Sequence, residues 1–371
     1  MSLSLVARPQ PSKLMVYLSP LLALVLTLVS GFLMFSLMGI DGLDALHAFF
    51  ILPISDLYGF SELLVKAIPL VLIGVGLSIG FKANVWNIGA EGQLVMGAVA
   101  SGGVALLAFE SDSVLVLPAM MIAGVLGGMA WGAIPAWLKT RFNANEILTS
   151  LMLTYVAGLF LSFLVHGPWR DPEGFNFPES RLFSESALLP IILEDTRLHI
   201  GLILALFVVA TIWVLLSRTL IGFQVKVVGA APRAARFAGF KEKGLIWFSL
   251  MLGGGLAGLA GMIEVSGPIG QLVPQVSPGY GFTAIIVAFV GRLHPLGVTV
   301  AGLLLALSYL GGETLQIEMG LPQAVTGVFQ GMLLFFLLAC DVLIKFRIRL
   351  GQPSAKKATA ETETANQEAG A

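Results

Sequence analysis

Residues 81–97 read Phe-Lys-Ala-Asn-Val-Trp-Asn-Ile-Gly-Ala-Glu-Gly-Gln-Leu-Val-Met-Gly. On either side lie strongly apolar runs, 63–80 and 94–109, each of helical length. Asn84, Asn87, Glu91 and Gln93 thus fall where a membrane helix is expected to be oily. Amide and ionisable groups at membrane depth cost several kcal/mol unless they face a cavity or a partner, so by default they mark a functional site. Two readings stay open for 82–93. One is a broken, re-entrant helix lining a transport pathway, because irregular backbone survives at depth only where protein or water covers it. The other is a plain loop on the cytoplasmic side with a helix cap.

Composition decides the class. The chain is 57% hydrophobic and 12% charged, against about 45–50% and about 25% in soluble domains, and its mean hydropathy is +0.90. A water-soluble domain is excluded. A single cysteine, Cys340, rules out an internal disulfide and a thiolate metal cluster. The net charge of −1 nominates no nucleic-acid partner.

A bilayer crossing needs about 20 apolar residues. Ten segments qualify or nearly so: 14–38, 63–80, 94–109, 114–138, 147–165, 200–216, 245–263, 282–291, 295–310 and 322–344. The first is too long for a secretory signal core and lacks a cleavage site, which makes it an uncleaved span. With the N-terminus in the cytoplasm and strict alternation, all but four of the 21 Lys and Arg fall inside, the four being Lys66, Arg170, Arg181 and Arg197. That is the positive-inside bias. Segment 282–291 is about half a hydrocarbon thickness long. Fusing it with the next run would put Lys345, Arg347 and Arg349 outside, so two passes are expected, the first a half-helix.

The expected architecture is an all-α polytopic membrane bundle of about ten transmembrane segments, some broken or half-length. Residues 1–13 are a cytoplasmic N-terminus. A transmembrane domain follows over 14–345, with a cytoplasmic loop at 217–243 and an outer loop at 166–199 sized for a lid or docking surface. The polar stretch 346–371 reads as a disordered cytoplasmic tail. Gly124, Gly128 and Gly132, and likewise Gly254 and Gly258, recur four apart, a spacing that lets helix backbones approach closely. Gly253-x-Gly255-x-x-Gly258 lies inside a span with no strand before it, so packing is preferred to dinucleotide binding. No Walker A sequence occurs, so the chain does not itself hydrolyse ATP through a P-loop. His47, His166, His199 and His294 show no metal-ligand spacing, no metal site is expected, and His294 beside Pro295 reads as a helix cap.

Three places can carry function. In the opening stretch Asn87 and Glu91, four apart, share a face if the segment is helical. Asn145 and Glu146 suit the N-cap and first turn of a helix, while Thr149, Ser150, Thr154 and Tyr155 continue into the span and can line a path. In the loop 217–243, residues 232–239 (Pro-Arg-Ala-Ala-Arg-Phe-Ala-Gly) read as a two-turn helix with proline first and glycine just past its end. Arg233 and Arg236 share its face with Phe237 beside them. Such a helix can rest on anionic lipid or dock into a partner's groove.

These residues together resemble a known family. Asn87-Ile-Gly-Ala-Glu-Gly-Gln93 with Gly97-Ala looks like the signature of permease subunits from ABC importers of the simple-sugar and nucleoside class, in the ribose-permease-like, branched-chain-amino-acid-permease superfamily. The likeness continues in Leu138-Lys, in Asn145-Glu-Ile-Leu-Thr-Ser-Leu-Met-Leu153, and in Gly229 with Ala234-Ala-Arg-Phe-Ala-Gly239. Gly279-Tyr-Gly-Phe-Thr-Ala-Ile and Gly291-Arg-Leu-His-Pro-Leu-Gly297 complete it. In one departure, Thr154 stands where the family usually has asparagine.

The resemblance implies a multi-pass subunit of the bacterial inner membrane with both termini cytoplasmic. It has no cofactor of its own, since ATP and Mg are held by a separate cytoplasmic ABC ATPase. The other partners implied are membrane lipid, a second permease that is similar but different, and an extracytoplasmic substrate-binding lipoprotein. Pro232, Arg233, Arg236, Phe237 and Gly239 would form the ATPase coupling helix. Asn84, Asn87, Glu91, Gln93, Asn145 and Thr149 would line the substrate pathway. The expected function is ATP-driven import of a nucleoside or related solute, with ribose or another simple sugar as the alternative. An ion-coupled secondary transporter, which would need no partner, offers only Glu91 as a coupling acid. No catalytic constellation argues for an enzyme.

Overall fold

A computed structural model describes residues 2–8 and 12–351. The described residues group into two units, one of residues 44–326 and one of residues 1–43 with 327–371.

The larger unit is helical. Its elements are most of α2 (Gly42–Phe50), then α3 (Leu57–Lys82), α4 (Ala90–Leu107), α5 (Val116–Phe142), α6 (Glu146–His166), α7 (Gly201–Arg218), α8 (Leu220–Ala230), α9 (Pro232–Phe237), α10 (Glu242–Glu264), α11 (Tyr280–Val290) and α12 (Pro295–Met319). Helix α3 is buried almost throughout and packs against α7, α10, α11 and α12. Its apolar residues show no polar face, as expected of a helix enclosed on all sides.

Glycines set the tightest crossings. A Cβ on Gly128 would strike the Gly254 carbonyl, one on Gly258 would strike that of Gly124, and one on Gly97 would land on Gly258 itself. The small-residue spacing in α5 and α10 therefore does what the sequence predicts, and α4 joins the same crossing.

Eight helices among the described residues are long and apolar enough to cross a membrane: α3, α4, α5, α6, α7, α10 with the turn that follows it, α12, and Gly327–Ile344. The chain is thus a polytopic helical membrane bundle. The expected count of ten is not reached on this criterion, because Leu21–Leu37 and Tyr280–Val290 rank among the shorter apolar helices. The separation of α11 from α12 is nonetheless real. Arg292 and Leu293 turn left-handed at φ 54 and 56, and Gly291 lies against the Val298 backbone, where no side chain fits. His294 occupies the N-cap position of α12 without a side-chain capping bond, so the cap expected of its ring is not made.

Segment 217–243 holds more helix than the sequence reading gave it. Thr219 caps α8 by accepting from Gly222 N–H at 3.2 Å, and Gly222, Val225 and Val228 turn inward at helical spacing. The capping threonine and that spacing were the available signals. Helix α9 follows as expected.

The smaller unit holds α1 (Lys13–Leu37) and most of α13 (Gln323–Lys345). Phe35 and Phe329 stack at 5.8 Å between ring centroids. Strands β1 (Ser2–Ala7) and β2 (Phe346–Gly351) pair antiparallel, from Ser2 opposite Gly351 to Ala7 opposite Phe346. The expectation of disorder over 346–371 therefore fails for 346–351, where the alternation Phe-Arg-Ile-Arg-Leu has the two-residue period of a strand. The remainder, 352–371, lies outside the described residues.

Candidate functional site

The polar stretch begins with a helix stop. Asn84 adopts the left-handed conformation at φ 59. Val85 N–H donates to the Gly80 carbonyl at 2.8 Å and Asn84 N–H to that of Phe81 at 3.1 Å, the paired bonds of a Schellman end. Trp86 folds over Phe81 and Phe289, with ring centroids 5.2 and 5.7 Å away, and its Nε1–H donates to Asn84 Oδ1 at 3.2 Å. The chain then climbs back beside α3. A Cβ on Gly253 would lie 3.6 Å from Asn87 Nδ2 and 3.7 Å from the Gly76 carbonyl, so Asn87 stands level with Gly76, well above the end of α3.

Asn87 and Gln93 pair with each other. Asn87 Nδ2–H donates to Gln93 Oε1 at 2.8 Å, and Gln93 Nε2–H returns a bond to Asn87 Oδ1 at 3.2 Å. The same Oδ1 accepts from Gly89 N–H at 3.1 Å. Both side chains are at least 97% buried. This amide pair ties the irregular segment to the first turn of α4, and most of its hydrogen-bonding capacity is used internally. The expectation that Asn87 and Glu91 share a helix face fails, because α4 starts only at Ala90.

Glu91 points elsewhere, to the start of α11. Its Oε2 accepts from Gly281 N–H at 2.6 Å, while Ser277 Oγ accepts from the preceding N–H groups of Gly279 and Tyr280 at 3.1 and 3.0 Å. The approach is close enough that a Cβ on Gly281 would collide with the Glu91 backbone. A helix N-terminus exposes unpaired N–H groups and partial positive charge, and a carboxylate answers both.

Asn145 caps α6 as expected, its Oδ1 accepting from Ile147 N–H at 2.9 Å and Leu148 N–H at 3.4 Å. Thr149 bonds back to the Asn145 carbonyl at 3.0 Å. Glu146 is buried and pairs with Lys139 at 2.9 Å across the α5–α6 turn. Thr154 packs its backbone against Gly92, where a Cβ would approach to 2.7 Å.

In α9, Pro232 takes the first position and Gly239 the left-handed stop at φ 77. Phe240 N–H donates to the Ala235 carbonyl at 3.0 Å. Arg236 pairs with Glu242 at 2.9 Å, Arg233 is exposed, and Phe237 is 96% exposed. A bare phenylalanine thus follows two arginines on this short helix.

Three sequence motifs meet at one cleft of about 280 Å³, lined by Asn84, Trp86, Lys139, Glu146, Pro232 and Glu242 among others. Asn87, Glu91, Gln93, Asn145 and Thr149 are not in its lining. Of the residues expected to line the pathway, Asn84 borders this cleft.

Sequence reasoning missed the charged groups at the other ends of these helices. Glu62, 96% buried, forms a bidentate pair with Arg197. Hydrogen bonding to Glu62 raises the Arg197 pKa above its ordinary value against the opposing effect of burial. Lys66 pairs with Glu313 at 2.8 Å. His199 is buried, and its Nδ1 accepts from Gly201 N–H at 3.2 Å. Burial lowers its pKa to about 4, against the charge of Glu62. The signal available was the presence of Glu62 and Lys66, one turn apart, next to an apolar run.

Residues 59–338 match the family model described as "Branched-chain amino acid transport system / permease component". The chain belongs to this permease family. It is similar to the glucose ABC transporter permease protein TsgB13 of Haloferax volcanii, at 36% identity over 90% of each chain. The guanosine ABC transporter permease protein NupP of Bacillus subtilis is 29% identical over 89% of this chain and 94% of its own. The nucleoside ABC transporter permease protein NupB of Lactococcus lactis is 27% identical over 94% of this chain and 96% of its own. In this permease, much of the signature that carried the resemblance is architecture: Asn87 and Gln93 close a helix break, and Glu91 caps a half-helix.

Proposed function

We propose that the chain is the membrane-spanning subunit of an ATP-driven importer for an uncharged solute carrying a hydroxylated ring, a nucleoside or a simple sugar. The observation that carries this reading is similarity along nearly the whole length to permeases named for guanosine, nucleosides and glucose. Nucleosides are favoured by two of these relatives, and a sugar by the 36% identity of the third. ATP is hydrolysed on a separate cytoplasmic ATPase, and the permease pairs with a second, similar chain. An extracytoplasmic lipoprotein delivers the solute. The protein lies in the inner membrane with both termini cytoplasmic, an orientation supported by the distribution of Lys and Arg.

On this reading α9 is the coupling helix. Its exposed Phe237, with Arg233 and Arg236 beside it, seats in the ATPase, and closure of the ATPase is felt first at the cleft that Pro232 shares with Asn84 and Glu146. The ion-coupled alternative has no support from the family. Uptake of labelled guanosine and labelled glucose, measured in a strain deleted for the gene and again after its return, tests the reading. Restored, ATP-dependent uptake of one of them is expected. No gene-dependent uptake of either overturns it.

A further inference from the structure

Helices α3, α4, α10 and α12 carry the acids Glu62, Glu91, Glu264 and Glu313, and three of these four are answered. Glu62 is held by Arg197, Glu313 by Lys66 at 2.8 Å, and Glu91 by the N-terminus of α11. The fourth is Glu264. It is 91% buried, yet among the described residues it makes no hydrogen bond and no ion pair. The charges acting on it are Lys66, Arg197 and Glu91, and both cations are already engaged by other carboxylates. Tyr280 feels the charges of Glu264, Glu91 and Glu313. It meets the Tyr309 ring edge-on at 5.5 Å between centroids, and Tyr309 Oη lies 2.7 Å from Thr283 Oγ1.

The backbone beside Glu264 is also irregular. Helix α10 passes into a π turn over Val265–Ile269 that contains Pro268. Gly270 N–H reaches back five residues to the Val265 carbonyl at 3.0 Å, and the buried Ser266 hydroxyl has no partner. Single π turns inside long helices frequently mark functional sites. The Glu264 oxygens are not among the fully enclosed atoms that lack a partner, so they face open space, where water or a ligand supplies the missing donor.

We propose that the Glu264 carboxylate is a solute-contacting group of this permease, accepting hydrogen bonds from the vicinal hydroxyls of a ribose or hexose ring in transit, with Tyr280 in its surroundings. This rests on the function proposed above. A carboxylate offers two acceptor oxygens at a spacing that suits adjacent hydroxyls, and sugar rings present apolar C–H faces to aromatic walls.

The test uses the assembled transporter with its ATPase and binding protein, in vesicles. Uptake of guanosine is compared with that of 2′,3′-dideoxyguanosine, and uptake of glucose with that of 2-deoxyglucose, for the native chain, Glu264→Gln and Glu264→Asp. The binding protein is common to all three, so its own preference cancels between variants. Glu264→Gln is expected to lower the preference for the hydroxylated solute by about tenfold or more, and Glu264→Asp to keep it. The resting complex should melt no lower with glutamine, because no native contact of the carboxylate is lost. An unchanged preference in Glu264→Gln overturns this proposal alone. So does a complex that melts lower or fails to assemble, since the carboxylate would then be structural. Absence of uptake of all four solutes by the native transporter overturns the functional reading, and this proposal with it.

Discussion

Glu91 and Gly281 stand 190 positions apart in sequence, yet the carboxylate of one accepts from the backbone N–H of the other at 2.6 Å. The acid in the family signature thereby holds a half-helix of 11 residues at its start. Glu91→Ala leaves the buried N–H of Gly281 unanswered, and a loss of about 1–3 kcal/mol in stability is expected. Glu91→Gln retains an acceptor and should lose less. Thermal unfolding of the purified chain in detergent checks the order, and equal losses for the two variants would contradict it.

Asn87 and Gln93 exchange two hydrogen bonds in a buried site. Each single change to alanine orphans the remaining amide and should cost about 1–3 kcal/mol. The double change removes both partners and should cost less than the sum, with a coupling of about 1 kcal/mol or more. Additive losses in a melting cycle would show that the pair contributes nothing as a pair.

His199 makes stability depend on pH. Its pKa is about 4 in the folded chain, against about 6.5 in an unfolded one. The unfolded state therefore takes up the proton first as pH falls. The stabilisation is full above about pH 6.5 and declines towards pH 4, by about 3 kcal/mol in all. His199→Gln should flatten the melting temperature across that window relative to the native chain. A native profile with no slope attributable to His199 would refute the assignment.

Arg236 and Phe237 lie on the exposed face of α9. Arg236→Glu places a second acid beside Glu242, which Arg236 now meets at 2.9 Å. It should abolish uptake while the isolated chain melts as before, and Phe237→Ala should weaken co-purification of the ATPase. Normal transport by Arg236→Glu would remove α9 from the coupling role.

Much of the fold was legible because membrane burial writes itself as length and hydropathy. The separation of α11 from α12 followed from the positions of Lys345, Arg347 and Arg349, and the glycine crossing from a four-residue spacing. Helix α8 was not read, since its apolar content is too short for a span and its basic flanks resemble a loop. The site was less legible for a physical reason. Asn87, Glu91 and Gln93 announce themselves as polar groups at depth, but polarity alone does not distinguish a group that waits for solute from one that answers a neighbour 190 positions away. Only the partners make that distinction, and they assign capping to Glu91 while leaving Glu264 unanswered.

Where Gly97, Gly258, Gly124 and Gly128 meet, backbone lies directly on backbone with no layer of side chains between. Such contacts bring α4, α5 and α10 to the closest approach that helices make. On the import reading proposed above, these three helices are expected to move as one piece, with alternating access hinged where the irregular segment 84–89 and the π turn after Glu264 interrupt the helices.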